Sequence, residues 1–232
     1  MDTKEIRRLI ALEDGHWWYR ERREILRREL RALGRPGVAV DVGAAGGGNT
    51  RVLAEAGWDA TATDTCETAL EIARQRGISA VRADARALPF ETGSVDLVTA
   101  FDVLEHIRED HLVTEEIARV LAPGGHALIA VPCDMTLWSS HDDAVGHLRR
   151  YRRESLTVVV EKAGLEVDRI WSWNVLLRPL VTWHRRRSVG SDLRRMPGLL
   201  NTGLSAVVRA ERYLPVRSLR GVSLFLRARL GR

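Results

Sequence analysis

The 232-residue sequence has little of what marks a disulfide-bonded, membrane-spanning or cysteine-metal protein. Its two cysteines, Cys66 and Cys133, are too few and too far apart for a disulfide framework or a zinc cluster, so no metal site is predicted and a reducing, cytoplasmic setting is favoured. No uninterrupted apolar run reaches about 18 residues, which excludes a predicted membrane span. The N-terminal residues are charged throughout and lack the apolar core of a secretory signal. The remaining composition, 45% apolar and 29% charged, is ordinary for one folded domain.

Lysine is also scarce, so nearly all of the positive charge comes from arginine. Residues 149–232 hold 19 basic and 6 acidic residues, a balance of +13, whereas residues 1–148 hold 17 and 25, a balance of −8. A basic final third is compatible with an anionic substrate, a nucleic acid or a membrane surface. Arginines on a solvated helix face explain the same excess without any partner.

Short apolar segments alternate with helical patterns along most of the chain. Two helices that break near Asp14 are predicted in residues 3–33. Strands are then predicted at 38–42, 60–63, 79–83, 95–101, 126–131 and 165–170, and helices at 50–56, 67–76, 109–121 and 154–163. Strands that are apolar on both faces and alternate with helices are typical of a parallel sheet covered on both sides, a doubly wound α/β fold. Ligands of such sheets bind at the carboxyl ends of the strands.

Glycines and carboxylates follow the first three predicted strands. The segment DVGAAGGG (residues 41–48) lets the backbone approach a ligand closely and precedes a helix N-terminus with free N–H groups. Asp64 comes 21 residues after Gly43, where a carboxylate can accept hydrogen bonds from both ribose hydroxyls of an adenosine ligand. Asp64 could instead cap the helix that follows. Asp84, after the third strand, could accept from an adenine amino group.

Five motifs occur in order over residues 38–132: DVGAAGGG, TATD, ADARALPF, SVDLVTAFDVLEHI and LAPGG. Together they resemble the class I S-adenosylmethionine-dependent methyltransferases, in the small-molecule group often labelled type 11. The resemblance implies an enzyme with a mostly parallel seven-stranded sheet and S-adenosyl-L-methionine as its cofactor. A nicotinamide dinucleotide would also suit the glycine loop and Asp64, but it leaves Asp84 and Asp102 unexplained.

The resemblance also assigns cofactor contacts to single residues of these motifs. The implied contacts are Asp41, Gly43, Ala45 and Gly47 around the methionine moiety, Asp64 and Thr65 at the ribose, Asp84 and Ala85 at the adenine, and Phe101 and Asp102 beneath the sulfonium and its methyl group. Ala45 departs from the family pattern, which usually has glycine there. Glu105 and His106 are interpreted as helix-start and packing residues rather than catalysts.

An aromatic and arginine-rich segment precedes the first strand. HWWYRERR (residues 16–23) resembles a segment at the same place in this group of methyltransferases. It implies a helical cap over residues 1–36, with Arg20 or Arg23 able to meet the cofactor's carboxylate and Trp18 able to contact the substrate. Docking of the tryptophans on the sheet would explain the same pattern.

Two histidines follow the fifth predicted strand, in the segment HDDAVGHLRRY (residues 141–151), which also resembles this group. A hydroxyl acceptor must lose its proton, and histidine titrates near neutrality, so His147 is the first candidate base and His141 the second. A bond from His147 to Asp142 or Asp143 would instead order the loop.

Four further residues of this loop are predicted to bind the acceptor: Trp138, Arg149, Arg150 and Tyr151. The two arginines would meet an acidic group of the acceptor or pair with the neighbouring aspartates. Residues 174–219 predict an insert with helices at 175–187 and 199–214, and residues 220–232 predict a last strand. The predicted organisation is therefore one domain, with the cap 1–36, the cofactor core 37–173, the insert 174–219 over the acceptor pocket, and that strand. Apolar residues beside arginines in the insert could also touch a membrane surface.

These patterns predict methyl transfer to a small molecule, namely O-methylation of a hydroxyl or carboxylate on a sugar or secondary metabolite. A small-molecule N-methyltransferase, an RNA methyltransferase and a non-catalytic cofactor-binding scaffold stay open. The sequence shows no RNA-binding module and no Asn-Pro-Pro-Tyr-type motif, which weighs against nucleic acid. The three retained carboxylates Asp41, Asp64 and Asp84 weigh against a scaffold. Nothing in the sequence indicates the oligomeric state.

Overall fold

The strands of the computed structural model form one seven-stranded sheet; the residues described are Arg7, 10–185, Arg187 and 196–231. Parts of the predicted cap and insert lie outside the described residues. The strands are β1 (Val38–Val42), β2 (Asp59–Asp64), β3 (Ser79–Arg82), β4 (Val95–Phe101), β5 (Leu121–Pro132), β6 (Leu165–Trp173) and β7 (Ser223–Leu230). Their order is β3-β2-β1-β4-β5-β7-β6, and only β7 runs antiparallel to its neighbours. The predicted mostly parallel sheet with a last antiparallel strand is thus confirmed.

Helices cover both faces of this sheet. They are α1 (Trp17–Leu33), α2 (Gly48–Glu55), α3 (Glu67–Gln75), α4 (Asp110–Val120), α5 (Ser140–Val145), α6 (Arg153–Lys162), α7 (Arg178–Arg185) and α8 (Gly198–Ala210). One apolar core joins the sheet to α4 and α6, and the other joins it to α1, α2 and α8. Within the described part of the chain, no helix is long and apolar enough to cross a membrane.

The central strands supply both cores because successive side chains of a strand point to opposite faces. Val40 and Val98 belong to the core beneath α4 and α6, whereas their neighbours Ala39 and Leu97 belong to the core beneath α1 and α2. Each of these residues is fully buried. This two-sided burial is why the central strands are mostly apolar in sequence.

Several boundaries differ from the sequence prediction, and three of these differences have a cause in the structure. Strand β5 begins at Leu121 rather than at 126, since Leu121 already pairs with Val95 and the residues up to 125 loop out before the pairing resumes. Helix α7 begins at Arg178 rather than at 175, because the carboxylate of Glu211 accepts hydrogen bonds from the backbone N–H groups of Asn174 and Leu176. Helix α8 ends at Ala210, and Leu214 is extended before Pro215, where helical backbone is disfavoured.

Candidate functional site

A cavity of about 1030 Å³ opens at the carboxyl ends of the parallel strands, and we call it the main cavity. Its walls come from the residues that follow β1, β2, β3 and β4, together with parts of α1, α5, α7 and α8. Ligand pockets usually measure roughly 300 to 1,000 Å³. The main cavity is therefore large enough to hold two small molecules side by side.

The backbone at this edge of the sheet is unusual. Among the described residues, left-handed backbone without glycine occurs at Ala45 (φ 46°), Asp102 (φ 58°), Asp134 (φ 66°) and Asn174 (φ 59°). Each of them follows the carboxyl end of a strand, namely β1, β4, β5 and β6. Such conformations persist only where the surroundings hold them, and they cluster at functional sites. The backbone geometry thus indicates a functional site at this edge of the sheet.

The loop after β1 lies against the main cavity. Gly43 is left-handed (φ 66°), and a Cβ at this position would come within 2.5 Å of Val103 Cγ2, so only glycine fits. Ala45 holds the same kind of backbone, which costs roughly 1 kcal/mol for a residue with a side chain. Its N–H donates to the Asp64 carboxylate at 3.0 Å, and this bond fixes the strained turn.

The carboxylate of Asp64 is held between two backbone N–H groups. One carboxylate oxygen accepts from Ala45 and the other accepts from the backbone N–H of Cys66 at 2.8 Å, just before α3. Asp64 and Thr65 also line the main cavity. Because each carboxylate oxygen has a second lone pair, Asp64 can order the loop and still accept hydrogen bonds from a ligand.

Asp41 lies behind the wall of the main cavity rather than in it. Its carboxylate is buried and accepts from the hydroxyls of Thr50 (2.7 Å) and Thr99 (2.6 Å). Gly47, the N-cap of α2, is also absent from the wall. The structure therefore brings neither residue to the cavity surface, and Asp41 connects β1, β4 and α2 instead.

We expect Asp41→Asn to change the pH dependence of stability. Burial raises the pKa of Asp41 from 3.8 to about 6, with the Asp64 charge adding to the rise and bonds from Thr99 and Thr50 opposing it. A raised pKa in the folded state means that stability is lost as pH rises from about 4 to about 6. Over this window the wild-type free energy of unfolding should fall by about 3 kcal/mol relative to the variant.

Urea denaturation at a series of pH values measures this difference. Asp59→Asn, at the exposed start of β2, is the control and should keep the wild-type profile. Parallel profiles for wild type and Asp41→Asn would contradict the expectation.

The residues after β3 also reach the main cavity. Asp84 and Ala85 line it, as predicted for an adenine site. The Asp84 carboxylate is held by Arg86, whose Nη2 lies 2.7 Å away and whose backbone N–H donates at 2.9 Å. These bonds from Arg86 lower the pKa of Asp84, so its carboxylate is ionised and oriented.

An ion pair between a buried arginine and a partly exposed aspartate lies in the wall of the main cavity at the end of β4. Arg22 of α1 places Nη2 2.7 Å from the Asp102 carboxylate, and the Arg22 side chain is only 4% exposed. Its guanidinium lies 5.1 to 5.8 Å from the centres of four rings, those of Phe225, Phe101, Trp18 and Trp173. Cation–π attraction strengthens in such a desolvated setting.

Arg22 lines the main cavity, although the sequence patterns had indicated its neighbours Arg20 and Arg23 instead. Arg20 is exposed and outside the cavity wall, whereas Arg23 lines the wall and donates to the backbone oxygen of Glu13. The signal was present in the helical spacing, because Arg22 lies four residues after Trp18 and three before Ile25 on the apolar stripe of α1.

Residues 141–151 follow β5 and are called the histidine loop; the carboxylate of Asp142 binds two other side chains of this loop. His147 Nδ1 lies 2.7 Å from Asp142 Oδ1, and Arg150 donates to both oxygens of the same carboxylate at 2.9 and 3.0 Å. Burial raises the pKa of Asp142, but the His147 bond and the Arg150 charge outweigh it and hold that pKa well below the ordinary value. His147, His141 and Arg150 line the main cavity. The pairing of an arginine with an aspartate, left open by the sequence, is observed for Arg150.

Glu105 and His106 lie beside His147. The packing role predicted for them does not explain the surroundings of the Glu105 carboxylate. Glu105 is fully buried, yet neither carboxylate oxygen accepts a hydrogen bond from another described residue. Its Oε1 is 3.8 Å from His147 Nε2, and the rings of His106 and His147 are 4.8 Å apart. Burial raises the pKa of Glu105 well above its ordinary value and lowers that of His106 to about 4.

Three of the predicted acceptor-binding residues lie outside the main cavity. Trp138 Nε1 donates to the carboxylate of Asp143 at 3.2 Å. Arg149 Nη1 and the Tyr151 hydroxyl both contact the Asp110 carboxylate, each at 2.6 Å. Arg149 and Tyr151 thus tie the histidine loop to α4, whereas Trp138 bonds only to a residue of that loop. Trp18, Phe101 and Asp102, by contrast, reach the cavity wall as expected.

This strand order, with a glycine turn after β1 and carboxylates after β2 and β3, defines the class I methyltransferase fold. Residues 40–129 match the family model described as a methyltransferase domain. Residues 40–129 therefore carry a methyltransferase domain, and its similarity to S-adenosylmethionine-dependent enzymes supports S-adenosylmethionine as the cofactor. The family, fold class and cofactor predicted from the sequence are confirmed.

Curated relatives share only part of their length with this chain. The Ubiquinone biosynthesis O-methyltransferase of Bordetella avium (strain 197N) is 38% identical over 93 residues, 37% of this chain and 39% of that protein. A protein of Mycolicibacterium smegmatis named "Probable S-adenosylmethionine-dependent methyltransferase" is 28% identical over 168 residues, 70% of this chain. The chain covers 64% of that second protein, so it spans less than two thirds of either relative.

A solved structure supports the fold. Phosphoethanolamine N-methyltransferase 2 of Haemonchus contortus, in complex with S-adenosyl-L-methionine, superposes with a TM-score of 0.60 at 20% identity. The match covers 88% of this chain and 51% of that one.

Proposed function

We propose that the protein is an enzyme that transfers the methyl group of S-adenosylmethionine to an oxygen atom of a small molecule. The observation that carries the cofactor part of this proposal is the placement of Asp64 and Asp84 on the wall of one cavity, at the ends of the neighbouring strands β2 and β3. Adjacent strands lie about 4.8 Å apart. This spacing suits the ribose and the adenine of one adenosine.

The cofactor would lie along the carboxyl ends of β1, β2 and β3. Asp64 would accept from the ribose hydroxyls, and Asp84 from the adenine amino group, with Ala85 beside the ring. Gly43 and Ala45 would allow the methionine moiety to approach the backbone, and Arg23 would approach its carboxylate. Asp41 and Gly47 would act by shaping this loop from behind.

The acceptor would occupy the part of the main cavity between Asp102, the histidine loop and the insert. Leu177, Leu180 and Leu200 bring apolar surface from the insert to this end of the cavity. An acceptor with an apolar body and one reactive oxygen, such as a hydroxylated secondary metabolite, suits these walls. The Bordetella relative is named as an O-methyltransferase, which also supports oxygen as the methylated atom.

The bound cofactor supplies a methyl carbon on a positively charged sulfur. The protein has to align the acceptor oxygen with that carbon, keep water out and manage the acceptor's proton. Phe101 and the Arg22–Asp102 pair form the floor on which the two molecules would meet. His147, oriented by Asp142, is the proposed residue for activating the acceptor hydroxyl, and His141 is the second candidate.

A cytoplasmic location is part of this proposal, and the unpaired thiols of Cys66 and Cys133 agree with a reducing compartment.

Calorimetric titration with S-adenosylmethionine and S-adenosylhomocysteine tests the cofactor site. Asp64→Ala should weaken the binding of both ligands by roughly 100-fold, because two charge-assisted hydrogen bonds to the ribose are lost. Asp59→Ala, at the other end of β2, is the matched control and should bind as the wild type does. Equal affinity of Asp64→Ala and wild type would contradict the proposed site.

A further inference from the structure

We infer that Glu105, His106 and His147 form a binding site for a divalent transition-metal ion of the Zn²⁺ type, in the wall of the main cavity. One ligand atom of each of the three residues lies within 4.8 Å of the other two. The binding of the ion does not depend on the proposed function. The role given below to the ion rests in addition on the proposed transfer to oxygen.

The spacing of the three groups is close to that of a metal centre. Zinc binds histidine nitrogen and carboxylate oxygen at about 2.0 to 2.2 Å with tetrahedral geometry, so its ligand atoms lie roughly 3.4 Å apart. His147 Nε2 and Glu105 Oε1 are already at 3.8 Å. A side-chain adjustment on the order of 1 Å would therefore complete the site.

Both imidazoles are oriented for metal binding by their other nitrogen. His147 Nδ1 lies 2.7 Å from the Asp142 carboxylate, and His106 Nδ1 lies 3.2 Å from the backbone oxygen of Gly146. An oxygen acceptor at Nδ1 places the proton there and leaves the lone pair on Nε2. The same pattern of carboxylate or carbonyl behind a histidine is usual in metal sites.

Glu105 supplies a second, independent observation. The nearby carboxylates Asp102 and Asp142 have cationic partners in Arg22 and Arg150. Glu105 is fully buried and receives no hydrogen bond from another described residue. A buried carboxylate without hydrogen bonds is costly to keep charged unless it is paired or coordinates a metal, and otherwise it takes up a proton. A cation between Glu105 and the two imidazoles removes that cost.

The site opens toward the proposed acceptor. His106 and His147 both line the main cavity, and three protein ligands leave a coordination position for an exogenous oxygen. An acceptor hydroxyl bound there would lose its proton to solvent at a lowered pKa. The oxygen would then form a bond to the methyl carbon as the carbon–sulfur bond breaks, and the sulfur would keep the electron pair. His147 would activate the hydroxyl by holding the ion.

Titration of the metal-free, full-length protein with Co²⁺, followed by its visible absorption, tests the site directly. We expect one Co²⁺ per chain, displaced by Zn²⁺. Glu105→Gln and His106→Ala should each weaken Co²⁺ binding by about 100-fold or more. His111→Ala, on the exposed face of α4, is the control and should bind as the wild type does. Circular dichroism verifies that each variant is folded, and His147→Ala replaces any variant that is not.

Absence of saturable Co²⁺ binding would overturn the inference. Unchanged binding in the folded Glu105→Gln and His106→Ala variants would also overturn it, since the ion would then be adventitious. Calorimetry of the same metal-free sample with S-adenosylhomocysteine separates the two proposals. Cofactor binding without Co²⁺ binding refutes the metal site alone, whereas loss of cofactor binding refutes the proposed function.

Discussion

Asp142→Ala should lower the free energy of unfolding by about 3 to 5 kcal/mol, because it leaves the buried Arg150 guanidinium without its partner. The side chains of Asp142 and Arg150 are 0% and 1% exposed, so water cannot replace the lost contact. The substitution also removes the acceptor at His147 Nδ1 and half of the capping box of α5. Chemical denaturation of the purified variant measures the change.

Asp143→Ala is the matched control, one residue further along the same helix. Asp143 is exposed and accepts a hydrogen bond from Trp138, so its removal should change stability by less than about 0.5 kcal/mol. If the two variants lost equal stability, the loop would not depend on the Asp142–Arg150 pair. Asp142→Asn keeps the shape of the side chain and should lose less than alanine does.

Arg22→Ala should lower the free energy of unfolding by about 2 to 4 kcal/mol. The change empties a space surrounded by four aromatic rings and removes the cation–π attraction of a desolvated guanidinium. The loss of the ion pair itself contributes less, since the Asp102 side chain is 40% exposed and can regain water. Thermal and urea denaturation measure the effect.

Two further variants distinguish packing from charge at this position. Arg20→Ala, on the exposed side of the same helix, should leave stability within about 0.5 kcal/mol of the wild type. Arg22→Met fills much of the same space without charge, so it should recover stability but still weaken the binding of S-adenosylhomocysteine. Wild-type cofactor affinity in folded Arg22→Met would show that Arg22 acts only through packing.

Periodicity and strand-end motifs were sufficient to predict most of the sheet from the sequence. Two-sided burial makes most positions of a central strand apolar, as in β1 and β4, and both were predicted with the observed bounds. Bounds were missed where a distant residue decides them. Glu211 delays α7, and the pairing of Leu121 with Val95 extends β5.

The sequence likewise predicted the location of one part of the candidate site correctly and not that of the other. Residues that follow strands directly, such as Asp64, Asp84 and Asp102, reach the main cavity because a parallel sheet aligns its carboxyl ends. In the loop after β5, only contacts distant in sequence decide which side chains face inward. Arg149 and Tyr151 turn to Asp110 of α4.

The sequence by itself determined the α/β class, the family and the cofactor, since local patterns and motif order carry that information. Only the tertiary structure decided which charges are paired and which are not. Arg22 meets Asp102, Arg150 meets Asp142, and Glu105 is buried beside two histidines without a hydrogen-bond donor from another described residue. Such pairings depend on how helices and loops meet in space, and no periodicity records them. The free energy of a buried charge depends on whether it is paired, and the chemistry that we infer for the cavity follows from these pairings.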